Sequence, residues 1–167
     1  LYKEIGKDIF NELSGMFAFA IYDLEKNTVL LARDFYGINP LFYTQIKDKL
    51  YFSSEIKGLL AIPGIKREVN TEALYDYFTL AYVPGSNTMF QNIYEVRNGE
   101  MIELCLNTNQ FEKKYHYRLK YETNYDISFE DAEKKVYDLL LNSVERNLRS
   151  DQTVGTTLSG GVDTSAI

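Results

Sequence analysis

Near the carboxyl end of this 167-residue chain, Ser159-Gly160-Gly161-Val162-Asp163-Thr164-Ser165 sets small residues and hydroxyls where an apolar run gives way to a helix start. The preceding Val154 to Leu158 reads as a short strand. A strand feeding a glycine pair and then a helix makes an anion cradle, because bare backbone N–H groups converge where the helix dipole is positive. Phosphate binding is the chemistry that suits it. The Walker-type loop needs G-x-x-x-x-G-K-[ST], whose lysine reaches the β/γ-phosphates, and no lysine stands near this loop. Gly160-Gly161 alone would read as a tight turn, but Ser159 before the pair and Asp163, Thr164 and Ser165 after it complete a seven-position pattern. Asp163 beside a polyanion makes sense when a divalent cation stands between them.

The pattern resembles the PP-loop of the ATP pyrophosphatases, S-G-G-x-D-[ST]-[ST], which split ATP to AMP and pyrophosphate while a substrate is adenylated. That resemblance implies ATP and Mg²⁺ as cofactors. Ser159, Gly160, Gly161, Asp163, Thr164 and Ser165 would surround the pyrophosphate, with Asp163 reaching the metal through it. Thr157 and Leu158, at the strand's carboxyl end, are where adenine or ribose would lie in an open α/β sheet.

Four blocks stand ahead of this loop: L-S-G-M-F-A-F-A-I-Y-D from Leu13, L-L-A-R-D-F-Y-G-I-N-P-L-F-Y from Leu30, Y-F-S-S-E-I-K-G-L-L from Tyr51 and Y-V-P-G-S-N-T-M-F from Tyr82. In this order they resemble the glutamine-dependent asparagine synthetases along nearly the whole chain, the first two blocks being shared with class II glutamine amidotransferases at large. The implied fold is α+β: the C-terminal half of an Ntn-type αββα glutaminase sandwich, followed by the start of an α/β PP-loop domain. The implied divisions are 1–116, a linker 117–127, and 128–167. By resemblance the parent hydrolyses glutamine, adenylates aspartate with Mg-ATP and aminates it with the released ammonia. Its partners would be glutamine, aspartate and ATP, in the cytoplasm, with a homodimer left open. A related amide ligase, such as a β-lactam synthetase or a polysaccharide-modifying amidotransferase, and a degenerate non-catalytic relative are the alternatives. The family's glutaminase residues are an amino-terminal cysteine with its α-amine, an Asn-Gly pair, an Arg and an Asp, and they precede the stretch matching Leu1. No catalytic residue is therefore expected here, and the chain by itself is expected to be inactive.

The elements that position these residues follow from local pattern. Gly15 to Asp23 is apolar on both alternating faces and reads as a strand covered on both sides, with Thr28 to Asp34 returning as its hairpin partner. Arg33-Asp34 invites a catalytic reading. Neighbours on a strand point to opposite faces, so a structural pair anchoring the Gly37-Ile38-Asn39-Pro40 turn is the more economical one. Leu41 to Gln45 and Leu50 to Ser53 form a second hairpin, and Ser54 caps a helix over Glu55 to Ala61. Asn70 or Thr71 caps another. Ile93 to Val96 and Met101 to Leu106, around Asn98-Gly99, spell a third hairpin. Phe111 to Asp126 has no clear period and reads as the linking stretch. Ser128, with Asp131 three residues on, opens a helix of about five turns with an apolar face at Phe129, Ala132, Val136, Leu139, Leu140 and Val144.

Composition narrows the field. Net charge is −6, which argues against a nucleic-acid face. Hydrophobic residues make up 45%, and no apolar run is long enough to span a membrane. The single cysteine, Cys105, falls in an apolar alternation and reads as a small buried residue. The single histidine, His116, reads as an interface or surface residue. One of each cannot build a zinc site.

Overall fold

The computed structural model describes residues 1–123 and 125–167. Its contacts divide the chain into two compact units, Leu1–Leu119 and Lys120–Ile167.

The first unit is built on two antiparallel sheets. β1 (Ala18–Asp23) and β2 (Thr28–Arg33) form the expected hairpin, with Ala18 opposite Arg33 and Asp23 opposite Thr28. Its turn is closed by Asp23, whose Oδ1 accepts from the Glu25 and Lys26 amides at 3.1 and 3.0 Å. β3 (Phe42–Ile46) and β4 (Lys49–Ser53) form the second hairpin, again as the pattern predicts. A four-stranded sheet runs in the order β1-β2-β6-β7, with β6 at Glu100–Cys105 and β7 at Gln110–Tyr115. A three-stranded sheet runs β4-β3-β5, with β5 at Tyr94–Glu95.

The alternation of β2 explains how the layers stack. Leu30 and Ala32 join Ile9, Phe10 and Met101 in one apolar cluster, under the helical amino-terminal segment α1 (Tyr2–Ile5) and α2 (Ile9–Glu12). Leu31 points the other way, into a cluster with Leu41, Tyr43, Val96 and Ile102 that joins the two sheets. α3 (Ile56–Leu60) packs on β3 and β4 and buries Leu59 completely. Each large aliphatic side chain so buried contributes roughly 1.5 to 3 kcal/mol, so these two clusters hold the unit together.

Several local readings are corrected by the tertiary pairing. β1 is not covered on both sides: it is an edge strand whose Ala20 and Tyr22 are exposed, and double coverage falls on β2 instead. The segments flanking Asn98-Gly99 do not form a hairpin. β5 pairs with β3 through Tyr43–Tyr94 and Phe42–Glu95, while β6 pairs with β2 and β7, so this turn carries the chain from one sheet to the other. The stretch from Phe111 begins as strand, because β7 pairs with β6 from Glu100–Tyr115 to Cys105–Gln110. Charged residues such as Glu112, Lys113 and Lys114 hide its period, as is common on edge strands. Ser54 is not a cap; α3 starts after an extended Glu55, whose amide donates to Ser53 Oγ at 3.3 Å. Asn70 is the cap of α4 (Thr71–Leu80), its Oδ1 accepting from the Ala73 amide at 3.2 Å. Asn124, within the expected linker, lies outside the described residues.

In the second unit α5 spans Phe129–Asn147. Ser128 Oγ accepts from the Asp131 amide at 3.1 Å, so Ser128 is the cap as read, while the Asp131 carboxylate accepts from the Ser128 hydroxyl at 2.7 Å, a variant of the reciprocal capping-box bond. Its apolar face is open, and no described residue of this unit is buried. α6 (Val162–Ala166) follows the glycine pair. The strand expected at Val154 to Leu158 is not formed. A strand exists only through hydrogen bonds to a neighbour, and no described segment supplies one.

Candidate functional site

Asp34 lies at the end of β2 and is 1% exposed. Its carboxylate accepts from the backbone N–H groups of Tyr36 (3.0 Å), Ile38 (3.1 Å), Asn39 (3.4 Å) and Phe17 (3.2 Å). Burial pushes its carboxyl pKa up, but these backbone donors outweigh burial and hold it below the ordinary carboxylate value. Arg33 is spent in the same way. Its Nε donates to Asn39 O at 2.7 Å, one terminal nitrogen to Gly37 O at 2.6 Å, and the other to Val96 O and Glu95 Oε1, both at 2.7 Å. Gly37 has φ +66°, and a Cβ there would come within 3.1 Å of the Arg33 guanidinium, so only glycine fits comfortably. The pair is the internal frame of the 34–40 turn, as the opposite-face argument predicts.

His116 is set deeper than its sequence neighbours imply. Its ring stacks on Phe10 at 4.2 Å, and Nε2 lies 2.8 Å from Arg33 O. Since a carbonyl can only accept, Nε2 carries the proton, and Nδ1 is buried with no partner among the described atoms. Burial pushes the imidazole below its usual pKa, against smaller opposing effects of Arg33 O and the Asp34 charge. Cys105 is half-buried rather than buried. The Thr108 hydroxyl, then the Thr108 and Asn107 amides, hold its thiol below the ordinary value.

The glycine pair at the second unit's end is arranged differently. Gly160 has φ +79° and Gly161, extended at φ −74° and ψ 159°, caps α6. Ser159 Oγ and Thr164 Oγ1 lie 3.0 Å apart, Thr164 Oγ1 also donates to Gly161 O at 3.2 Å, and the Ser165 amide donates to Gly161 O at 3.0 Å. The loop therefore closes on itself through two hydroxyls, which are good partners for phosphate oxygens. Asp163 is exposed on the first turn, and Thr157 and Leu158 are exposed in irregular backbone. Among the described residues no group of three His, Cys, Asp or Glu gathers as a metal site. A hard cation at Asp163 would complete its shell from water and phosphate oxygens, the usual habit of Mg²⁺ with nucleotides. Hydroxyls, backbone amides and one carboxylate thus suit a Mg-pyrophosphate group.

Comparison with known proteins follows this division. Residues 1–117 match the profile of the glutamine amidotransferase domain. The chain belongs to that glutamine amidotransferase family. Residues 135–167 of this family member match the asparagine synthase profile, so the two matches follow the order of the two units. A putative asparagine synthetase (glutamine-hydrolyzing) 2 of Methanocaldococcus jannaschii is 33% identical over the whole chain, which covers 33% of that protein. The asparagine synthetase (glutamine-hydrolyzing) 2 of Bacillus subtilis is 37% identical, with the whole chain covering 24% of it. A Gibberella zeae protein named amidase chry2 is 34% identical, with the whole chain covering 25% of it. The amidotransferase chain thus spans about a quarter to a third of these relatives. Among its described residues no helix is long and apolar enough to cross a membrane.

Sequence reading missed one feature of the amidotransferase unit. Phe35, Tyr36, Arg97, Tyr115, Tyr117 and Arg118 converge on one pocket of about 300 Å³. The run Tyr115-His116-Tyr117-Arg118 was its signal, but runs 35–36, 97–98 and 115–118 are brought together only by backbone hydrogen bonds between residues far apart in sequence.

Proposed function

We propose that this chain is part of a glutamine-hydrolysing asparagine synthetase of the cytoplasm, in which aspartate is adenylated by Mg-ATP and then aminated by ammonia from glutamine. A carboxylate is a poor electrophile; attack of its oxygen on the α-phosphorus releases pyrophosphate, and ammonia then displaces AMP to leave the amide. The observation that carries the reading is the order of the two matches on one chain, with relatives named asparagine synthetase aligned along its whole length. We assign 1–116 to the glutaminase domain, 117–127 to a linker and 128–167 to the start of the synthetase domain. The contact boundary after Leu119 and the profile limits at 117 and 135 support that division.

Ser159, Gly160, Gly161, Thr164 and Ser165 would hold the pyrophosphate through hydroxyls and backbone N–H groups, with Thr157 and Leu158 beside the nucleoside. Asp163 would hold the Mg²⁺ that neutralises the phosphate oxygens. In the protein that carries this chain, Asp163→Ala should abolish ATP-dependent asparagine formation while glutamine hydrolysis persists. Equal loss of both activities would defeat the assignment. The amidase relative, close to the synthetases in identity, favours a second reading, formation or turnover of another amide. Replacing aspartate by other carboxylates in a pyrophosphate-release assay separates the two.

A further inference from the structure

The pocket of about 300 Å³ in the first unit is built and charged in a way that the framework around Asp34 does not require. Three chain segments form it, and one glycine ties them together. The Gly99 amide donates to Asp34 O at 2.9 Å, and Gly99 O accepts from the His116 and Tyr117 amides at 2.9 and 3.3 Å. Phe35 then stacks on Tyr117 at 4.3 Å with 26° between the rings. The backbone at the base of the pocket and its Phe35–Tyr117 wall are therefore set before any ligand arrives, which lowers part of the ordering cost of binding.

Its charge is as distinctive. The chain carries a net charge of −6, and Arg33 is fully engaged with Glu95 and backbone oxygens. Arg97 and Arg118 differ: among the described residues neither guanidinium has a carboxylate partner. The Arg118 guanidinium carbon sits 4.0 Å from the Tyr115 ring centroid. A guanidinium held over a ring in this way still has N–H groups to offer an anion. Two guanidinium forks among four aromatic rings offer charge for a dianion and flat surface for a ring, in a volume at the small end of ligand sites.

We propose that this pocket binds a small aromatic dianion, an aryl phosphate or a similarly sized phosphate attached to a flat ring, with Arg97 and Arg118 on the phosphate and the ring between Tyr36 and the Phe35–Tyr117 stack. The inference goes beyond the synthetase reading and does not depend on it. Phenyl phosphate is the probe, titrated into the full chain by calorimetry and by backbone amide shifts. Binding should be saturable with Kd below about 1 mM, and about tenfold tighter than inorganic phosphate or phenol, because each of those keeps only half of the contacts. Shifts should centre on Asn98, Tyr117 and Arg118.

Arg97→Gln and Arg118→Gln should each weaken binding about tenfold, in line with loss of a charged hydrogen bond, while Arg67→Gln on the open surface should not. Arg118→Lys, which keeps the charge and loses the fork, should fall between. Failure to saturate, equal affinity for phosphate and phenyl phosphate, or shifts confined to Gly160–Thr164 would each overturn the proposal. None of those outcomes bears on Asp163 in asparagine formation.

Discussion

Arg33-Asp34 and Ser159–Ser165 are both dense runs of polar residues following an apolar segment, yet the structure uses them in opposite ways. Around Asp34 backbone amides point inward to one carboxylate, and Arg33 spends its donors on carbonyls and Glu95. Around Gly160 the hydroxyls of Ser159 and Thr164 reach mainly each other and one carbonyl, and the surrounding residues face outward. A polar cluster whose partners are all internal is a framework. One whose groups remain open at the surface is available for a ligand.

The sharpest way to break this contrast is to remove the buried acceptor. Asp34→Ala should strand several buried N–H groups and cost the first unit about 3 kcal/mol or more, read as a lower urea midpoint followed by tyrosine fluorescence. Asp34→Asn, which keeps one acceptor oxygen, should cost less. The sign with acid follows from the lowered carboxyl pKa. The stability contributed by Asp34 is complete above the unfolded value of about 3.9 and is lost as pH falls through the lower folded value. Wild type should therefore lose stability below about pH 4 more steeply than Asp34→Asn does.

Hydrogen exchange compares the two units as wholes. Amides of Leu31, Ile102 and Leu104, on strands with fully buried side chains, should exchange roughly a hundredfold more slowly than those of Val136 to Leu140, whose helix face is open. Similar protection in both units would show that α5 is covered in solution. Glycine replacements give a smaller, local version of the same test. A Cβ on Gly99 would lie 2.5 Å from Tyr117 O at φ +65°, whereas Gly155 has nothing within 4 Å and no positive φ. Gly99→Ala should cost about 2 kcal/mol, and Gly155→Ala should leave the melting curve unchanged.

Apart from the Gly155 control, the smallest effect expected is at the α5 cap. Ser128→Ala removes the hydroxyl that satisfies the Asp131 amide and should destabilise the helix by about 1 kcal/mol. It should show as lost ellipticity at 222 nm with no change in the β-sheet amides. An equal change in both would mean that the two units unfold together.

Some of the local structure was legible because its signals lie in neighbouring residues. The glycine pair with its flanking hydroxyls, the opposite-face argument for Arg33-Asp34 and the Ser128–Asp131 cap each depend on residues within a few positions of one another. His116 was misjudged for the converse reason: its aromatic neighbours Phe10, Phe17 and Phe35 are all distant in sequence. The pocket beside it, with Arg97 and Arg118, was invisible on the same ground.

By itself the sequence determined the two hairpins β1–β2 and β3–β4, the cap at Ser128, a cap at Asn70 or Thr71, and the family, because alternation, turn chemistry and motif order are written in neighbouring residues. Only the tertiary structure decided that β5 and β6 leave the Asn98-Gly99 turn for different sheets, that β7 is strand where the pattern read as linker, and that Val154 to Leu158 forms no ladder. Those outcomes depend on which distant backbone is present to accept a hydrogen bond, and a period-two pattern names no partner.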